Sequence, residues 1–117
     1  MKEERTERKE RDKLMLPKPK TLKEFYQRPS RWTKGVTARD ANGNPTETSS
    51  AKAVALCLSA AIYHIYGEDN PEITTRLLEV INAERDHTEA YEEISSWNDE
   101  DERSFKDIRS LLNTANL

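Results

Sequence analysis

Hydrophobic positions in this chain fall into groups separated by polar stretches, and the densest group runs from Ala51 to Tyr66. In AKAVALCLSAAIYHIY only Lys52, Ser59 and His64 are neither apolar nor aromatic. A segment apolar on nearly every side predicts one helix of about 24 Å, buried among neighbours on several faces. Thr48, Ser49 and Ser50 precede it as N-cap candidates, and Gly67 follows as a residue able to end a helix at positive φ.

The other groups predict cover for this element. Thr21 and Glu24 have the spacing of a capping box, with Leu22, Phe25 and Tyr26 as the apolar stripe of a short helix that Pro29 stops. From Trp32 the pattern changes to Trp, Val and Thr around Gly and Asn, which predicts a hairpin: Trp32 to Arg39, a turn over Asp40 to Asn44, and a return over Pro45 to Thr48. Pro45 restricts the return to an edge or a strand start. Asn70 and Pro71 open a helix with Ile73, Leu77, Val80 and Ile81 on one face, ending near Ala83 or Glu84. Asp86 and Glu89 repeat the capping-box spacing before a helix that buries Tyr91 and Ile94 and ends at Ser95 or Ser96. Trp97, Asn98 and Asp99 then form a turn. Ser104 and Asp107 open the last helix, whose face is Phe105, Ile108, Leu111, Leu112 and Ala115. No internal repeat of about 20–50 residues is present, which removes solenoid folds. The fold predicted is a mostly helical α+β domain, a short two-stranded β-ribbon with about five helices around one buried central helix.

Charge divides the chain. Met1 to Lys34 holds 12 Lys and Arg against 6 Asp and Glu, and the remainder is acidic enough to bring the total to −3. Residues 1–13 have no apolar side chain after Met1, and Pro17 and Pro19 favour an extended linker. Residues 1–20 therefore read as a charged, flexible arm and linker, and 21–117 as a single compact domain. The single Cys57 cannot form an internal disulfide and fits a reducing, cytoplasmic setting. There is no apolar leader region, and the longest apolar segment is shorter than the ~20 residues of a membrane span.

Three residue groups, in this order, resemble something known. They are Trp32 with Gly35, then Ala38, Arg39 and Asp40 with Gly43 and Pro45; Cys57 and Leu58 followed by Ala60 and Ala61; and Trp97, Asn98 and Asp99 before a helix with Ile108, Leu111 and Leu112. Together they are similar to a small family of uncharacterised bacterial and phage proteins, a domain of unknown function, over Thr21 to Ala115. The turn Trp97, Asn98 and Asp99 ahead of the last helix is the most specific part. The resemblance implies a domain boundary and an accessory role in a phage or mobile element, and it implies no catalytic residues.

Candidate chemistry is sparse. Cys57 and His64 return to one helix face but lie about 10 Å apart along it, beyond the reach of a nucleophile and its base. The face Cys57, Ala60, Ala61 and His64 is small enough to admit another helix closely. The carboxylates Asp99 to Glu102 lack the glycine and spacing of a calcium loop and suit the start of the last helix. Glycines 35, 43 and 67 make no phosphate loop. These features predict no cofactor and no metal site. Trp97, Asn98 and Asp99 are the candidate interaction surface, with a core-closing and capping role as the competing reading. Lys18, Lys20, Lys23, Arg28, Arg31 and Lys34, interleaved with aromatics, are candidate phosphate contacts, opposed by the acidity of the rest of the chain. The expectation is a non-enzymatic protein-interaction module with an unknown protein partner and no membrane association; the alternative is nucleic-acid association through Lys18 to Lys34.

Overall fold

The computed structural model describes residues 16, 17, 19–67, 70–81 and 90–117. Helix α1, Leu22–Phe25, opens where its sequence says it should: Thr21 Oγ1 accepts the Glu24 N–H at 3.1 Å, and the Glu24 carboxylate accepts the Lys20 N–H at 2.9 Å. A 3-10 turn, Pro29–Arg31, follows. Three antiparallel strands come next, β1 (Ala38–Asp40), β2 (Pro45–Thr46) and β3 (Ala53–Leu56), in the order β2-β1-β3. The β1–β2 turn falls at Asp40 to Asn44, where Asp40 Oδ1 accepts the N–H groups of Asn42 and Asn44 at 2.9 and 3.0 Å. Gly43 supplies the positive φ, +85°, that the turn requires. Pro45 lies on an edge strand, the position open to a residue without an N–H.

The structure corrects the reading of Ala51 to Tyr66 as one helix. Ala53–Leu56 is a strand, Cys57 is an N-cap, and helix α2 runs only from Leu58 to Tyr66. Ser50, expected to cap a helix, instead accepts the Lys52 N–H on its Oγ at 3.0 Å in a turn. A short apolar run fits a buried strand as well as a buried helix by periodicity, and pairing decides between them. A hairpin of two paired residues has little independent stability. It is completed by β3, with Ala38 opposite Leu56, Arg39 opposite Ala55, and an irregularity at Asp40 and Ala53. The two-stranded ribbon is therefore a three-stranded sheet, and Trp32 joins it only through an isolated bridge to Leu56.

The remaining helices are α3 (Pro71–Val80), α4 (Ala90–Asn98) and α5 (Phe105–Ala115). Helix α4 continues through Trp97 and Asn98, correcting the expected end at Ser95 or Ser96. The capping box at Asp86 and Glu89, the arm of residues 1–15, and Lys18 lie outside the described residues. At α5 the Ser104 N–H donates to Asp107 Oδ2 at 2.9 Å, the expected start. Asn70 makes no side-chain cap to α3; its carboxamide donates backwards to the carbonyls of Tyr66 and Gly67, tying α2 to α3.

The helices close a ring of neighbours, α1 to α2, α2 to α4, α4 to α3, α3 to α5, and α5 back to α1. Leu22, Tyr26, Leu58, Ile62, Leu77, Ile94, Ile108 and Leu112 fill it. Helix α2, expected to be the central one, is not surrounded on all sides: it buries Leu58, Ala60, Ala61 and Ile62 but leaves Tyr63 exposed. Two arginines fasten the ends: Arg109 donates to the Tyr26 carbonyl at 2.8 Å, and Arg76 to those of Ala115 and Asn116 at 2.8 and 2.9 Å. Leu16, upstream of the expected boundary, is also buried in this core. No helix among the described residues is long and apolar enough to cross a membrane.

Candidate functional site

Because α2 starts at Leu58, its small-residue face is not covered by a helix along its whole length. Cys57, Ala60 and His64 form one wall of a cleft of about 650 Å³. Tyr91 and Ser95 on α4 form the second wall, and Thr37, Thr48 and Ser49, flanking the sheet, form the third. Where α2 and α4 do meet, Ser59 Oγ donates to the Tyr91 carbonyl at 3.1 Å and lies 2.8 Å from Ser95 Oγ. Tyr63 stands at the rim, 52% exposed, the large hydrophobic side chain most open to solvent among the described residues. A smaller hollow lined by Leu16, Ala51 and Ala53 adjoins the cleft through Thr48, Ser49 and His64.

Cys57 is a poor nucleophile in this setting. Burial pushes its thiol up, and the backbone N–H groups of Ala60 and Ser59 at the helix start bring it only part of the way back. His64 Nε2 lies 2.9 Å from the Pro17 carbonyl; since that oxygen can only accept, Nε2 carries the proton. The ring also meets Phe25 edge-on, at 6.0 Å between centroids. His64 thus holds the chain at Pro17 and is turned to structure on its Nε2 side. Among the described residues no three His, Cys, Asp or Glu side chains are grouped to hold a metal ion.

Trp97, Asn98 and Asp99 are brought together, but with unequal exposure. Asn98 is fully buried. Its Oδ1 accepts the Trp32 indole N–H at 2.7 Å and the Leu58 N–H at 3.1 Å, so Asn98 caps α2 from another helix. Its Nδ2 donates to the Thr33 carbonyl at 3.1 Å and to Asp99 Oδ1 at 2.9 Å. Asp99 Oδ1 also accepts the Gly35 N–H at 2.9 Å. Trp97 is half-buried against the core, with the Arg103 guanidinium 3.8 Å above its ring. Arg103 is itself fixed by a 2.7 Å bond to the Trp97 carbonyl and a 3.0 Å pair with Glu100. The polar atoms of Asn98 are therefore directed inward, onto the Trp32 to Gly35 segment and α2.

The basic segment is not one continuous strip. Lys34 Nζ donates to the carbonyls of Glu100, Asp101 and Arg103 at 2.7, 2.9 and 3.0 Å, closing the loop after α4. Arg31 donates to the Val54 carbonyl at 3.0 Å, and Lys23 to Asn116 at 3.4 Å. Lys20 and Arg28 are exposed. Arg31 is pushed down by burial and by the neighbouring Arg28, with which it flanks a hollow beside Ser30.

Of the cleft, sequence pattern indicated the small face of Cys57, Ala60 and His64 and missed Thr37, Thr48, Ser49, Tyr63, Tyr91 and Ser95. The one signal available was Ser59, a hydroxyl inside an apolar run. A family model matches residues 26–116: DUF6197, a family of unknown function. No curated protein and no solved structure matches the chain.

Proposed function

The chain belongs to DUF6197, and from its surface we propose that it is a non-enzymatic protein-interaction module whose docking site is the cleft beside Tyr63. The observation that carries this reading is the cleft itself, about 650 Å³ with a half-exposed aromatic at its rim. A cavity in the range of about 300–1,000 Å³ is large enough to enclose a small molecule and therefore to admit one side chain of a partner, and tyrosine is enriched among the anchors of interfaces. A raised thiol at Cys57 and a His64 nitrogen held on Pro17 favour binding over nucleophilic chemistry. The Trp97 to Asp99 segment, the last turn of α4 and the residue after it, is better supported as a clasp than as the contact surface, because Asn98 spends its carboxamide inside the fold. An accessory role in a phage or mobile element rests on the resemblance of the Trp32, Cys57 and Trp97 groups. A cytoplasmic setting rests on the single free Cys57.

The test places a photo-crosslinking amino acid at Ser49, an exposed residue of the cleft lining, and, as control, at exposed Lys106 on α5, in the host cell. A protein adduct at position 49 and not at 106 supports the reading; equal labelling at both, or none at 49, overturns it.

A second reading, phosphate contact through the basic segment, draws support from the close like charges of Arg28 and Arg31. It loses support from Lys34 and Lys23, whose ammonium groups are engaged within the fold. Affinity for an oligonucleotide falling by about one log-log slope unit per phosphate neutralised would support it. No binding at low salt removes it.

A further inference from the structure

We infer that the hollow between the 3-10 turn and the sheet receives a phosphate monoester, held by the guanidinium groups of Arg28 and Arg31 and the hydroxyl of Ser30; this site stands apart from the cleft and does not depend on it. The hollow measures about 310 Å³ and is lined by these three residues together with Ala41, which follows β1, and Val54 on β3. The backbone places its two cations. Pro29 opens the turn with φ already set, and the Arg31 N–H closes it on the Arg28 carbonyl at 3.1 Å, so that Arg28 and Arg31 stand one turn apart. Residues three apart in a 3-10 turn lie one above the other. Arg31 Nη1 also donates to the Val54 carbonyl at 3.0 Å, which anchors its guanidinium against the sheet. The charge of Arg31 is disfavoured by burial and then by the nearby Arg28. An anion between the two arginines offsets both effects.

A monoester suits this arrangement better than the diester of a polynucleotide backbone. It carries about −1.5 to −2 charge and three acceptor oxygens. Against these the site sets two planar donor forks, which match phosphate oxygens two at a time, and one hydroxyl. A polynucleotide instead takes cations in a row along its backbone. Lys23 and Lys34, on either side of the two arginines in sequence, give their ammonium groups to Asn116 and to the carbonyls after α4. The Asp40 carboxylate, beside Ala41 in the chain, accepts the Asn42 and Asn44 N–H groups within its own turn.

The experiment titrates the ¹⁵N-labelled full chain with methyl phosphate, dimethyl phosphate and N-acetyl phosphoserine amide at constant ionic strength and pH 8, where a monoester is a dianion. The backbone amide signals of Ser30, Arg31 and Val54 are read. Methyl phosphate should move all three to saturation, with an affinity at least about tenfold above that of dimethyl phosphate. In Arg28→Gln, a change at an exposed side chain, it should bind several-fold more weakly while the rest of the spectrum stays in place. Phosphoserine amide binding more tightly than methyl phosphate upholds the site and assigns the ester to a phosphorylated side chain; equal or weaker binding upholds it and assigns a free phosphate ester. Equal affinity for methyl and dimethyl phosphate, no shift at these residues with methyl phosphate, or an affinity unchanged in Arg28→Gln overturns the inference.

Discussion

Replacing Asn98 by alanine should destabilise the protein strongly. The side chain is fully buried and ties together parts of the chain that local sequence cannot hold: Trp32 and Thr33 after the 3-10 turn, Leu58 at the start of α2, and the end of α4. Alanine leaves the Leu58 N–H and the Thr33 carbonyl buried without their partner, at about 1–3 kcal/mol each. The Trp32 indole N–H, only partly buried, adds an amount at the lower end of that range. The expected loss is about 3–5 kcal/mol, a large share of the 5–15 kcal/mol typical of a domain. Urea unfolding followed by circular dichroism measures it as a lower midpoint at unchanged slope. A loss below about 1 kcal/mol would refute the clasp. Asn98→Asp separates hydrogen bonding from volume. The new carboxylate keeps an acceptor for Trp32 and Leu58 but faces the Thr33 carbonyl and Asp99. Burial and the like charge raise its folded pKa above the value of about 3.9 in an unfolded chain. A group raised in the folded state gives its stabilisation below the unfolded pKa and loses it as pH rises through the folded pKa. The Asp variant should therefore recover relative to wild type on acidification from neutral towards pH 4.

Trp97→Ala should cost about 2–3 kcal/mol, combining partial burial with loss of the Arg103 stack, and less than the 3–5 kcal/mol of a fully buried aromatic; chemical denaturation distinguishes the two. A chain starting at Leu16 should be about 2–3 kcal/mol more stable than one starting at Lys18, which lacks the buried Leu16 side chain and the Pro17 carbonyl that holds His64. Equal midpoints would show that this contact contributes nothing. Cys57 should react with iodoacetamide more slowly than a free thiol at pH 8 and gain rate only at higher pH, since burial raises its thiol; a rate equal to that of glutathione would contradict the environment described.

What could be read from sequence was what is decided within a few residues. The Thr21 and Ser104 helix starts, the Asp40 to Gly43 turn, the Pro71 helix and the edge position of Pro45 each follow from one or two side chains acting on adjacent backbone. Ala53 to Leu56 could not be read this way, because its choice of strand over helix is made by β1, more than a dozen residues upstream. Ser95 and Ser96, poor helix formers, predict an end that α4 runs past, because the bonds that hold Asn98 in its last turn come from Trp32, Thr33 and Leu58. The cleft was hidden for the same reason. Its walls come from positions 37, 48–49, 57–64 and 91–95, and the small face of α2 suggested close helix contact when part of it is left open. Lys34 looked like a phosphate ligand by composition, and three carbonyls 66 to 69 residues away give it another use.

The most direct test of the docking site titrates the protein captured at position 49 against wild type and Tyr63→Ala by calorimetry. Tyr63 is 52% exposed, so its truncation should leave folding stability within about 0.5 kcal/mol. If it anchors a partner, affinity should fall by about 30-fold or more, the effect of losing an interface hot spot of about 2 kcal/mol. Unchanged affinity in a fully folded Tyr63→Ala variant would contradict the account and remove the cleft as the docking site.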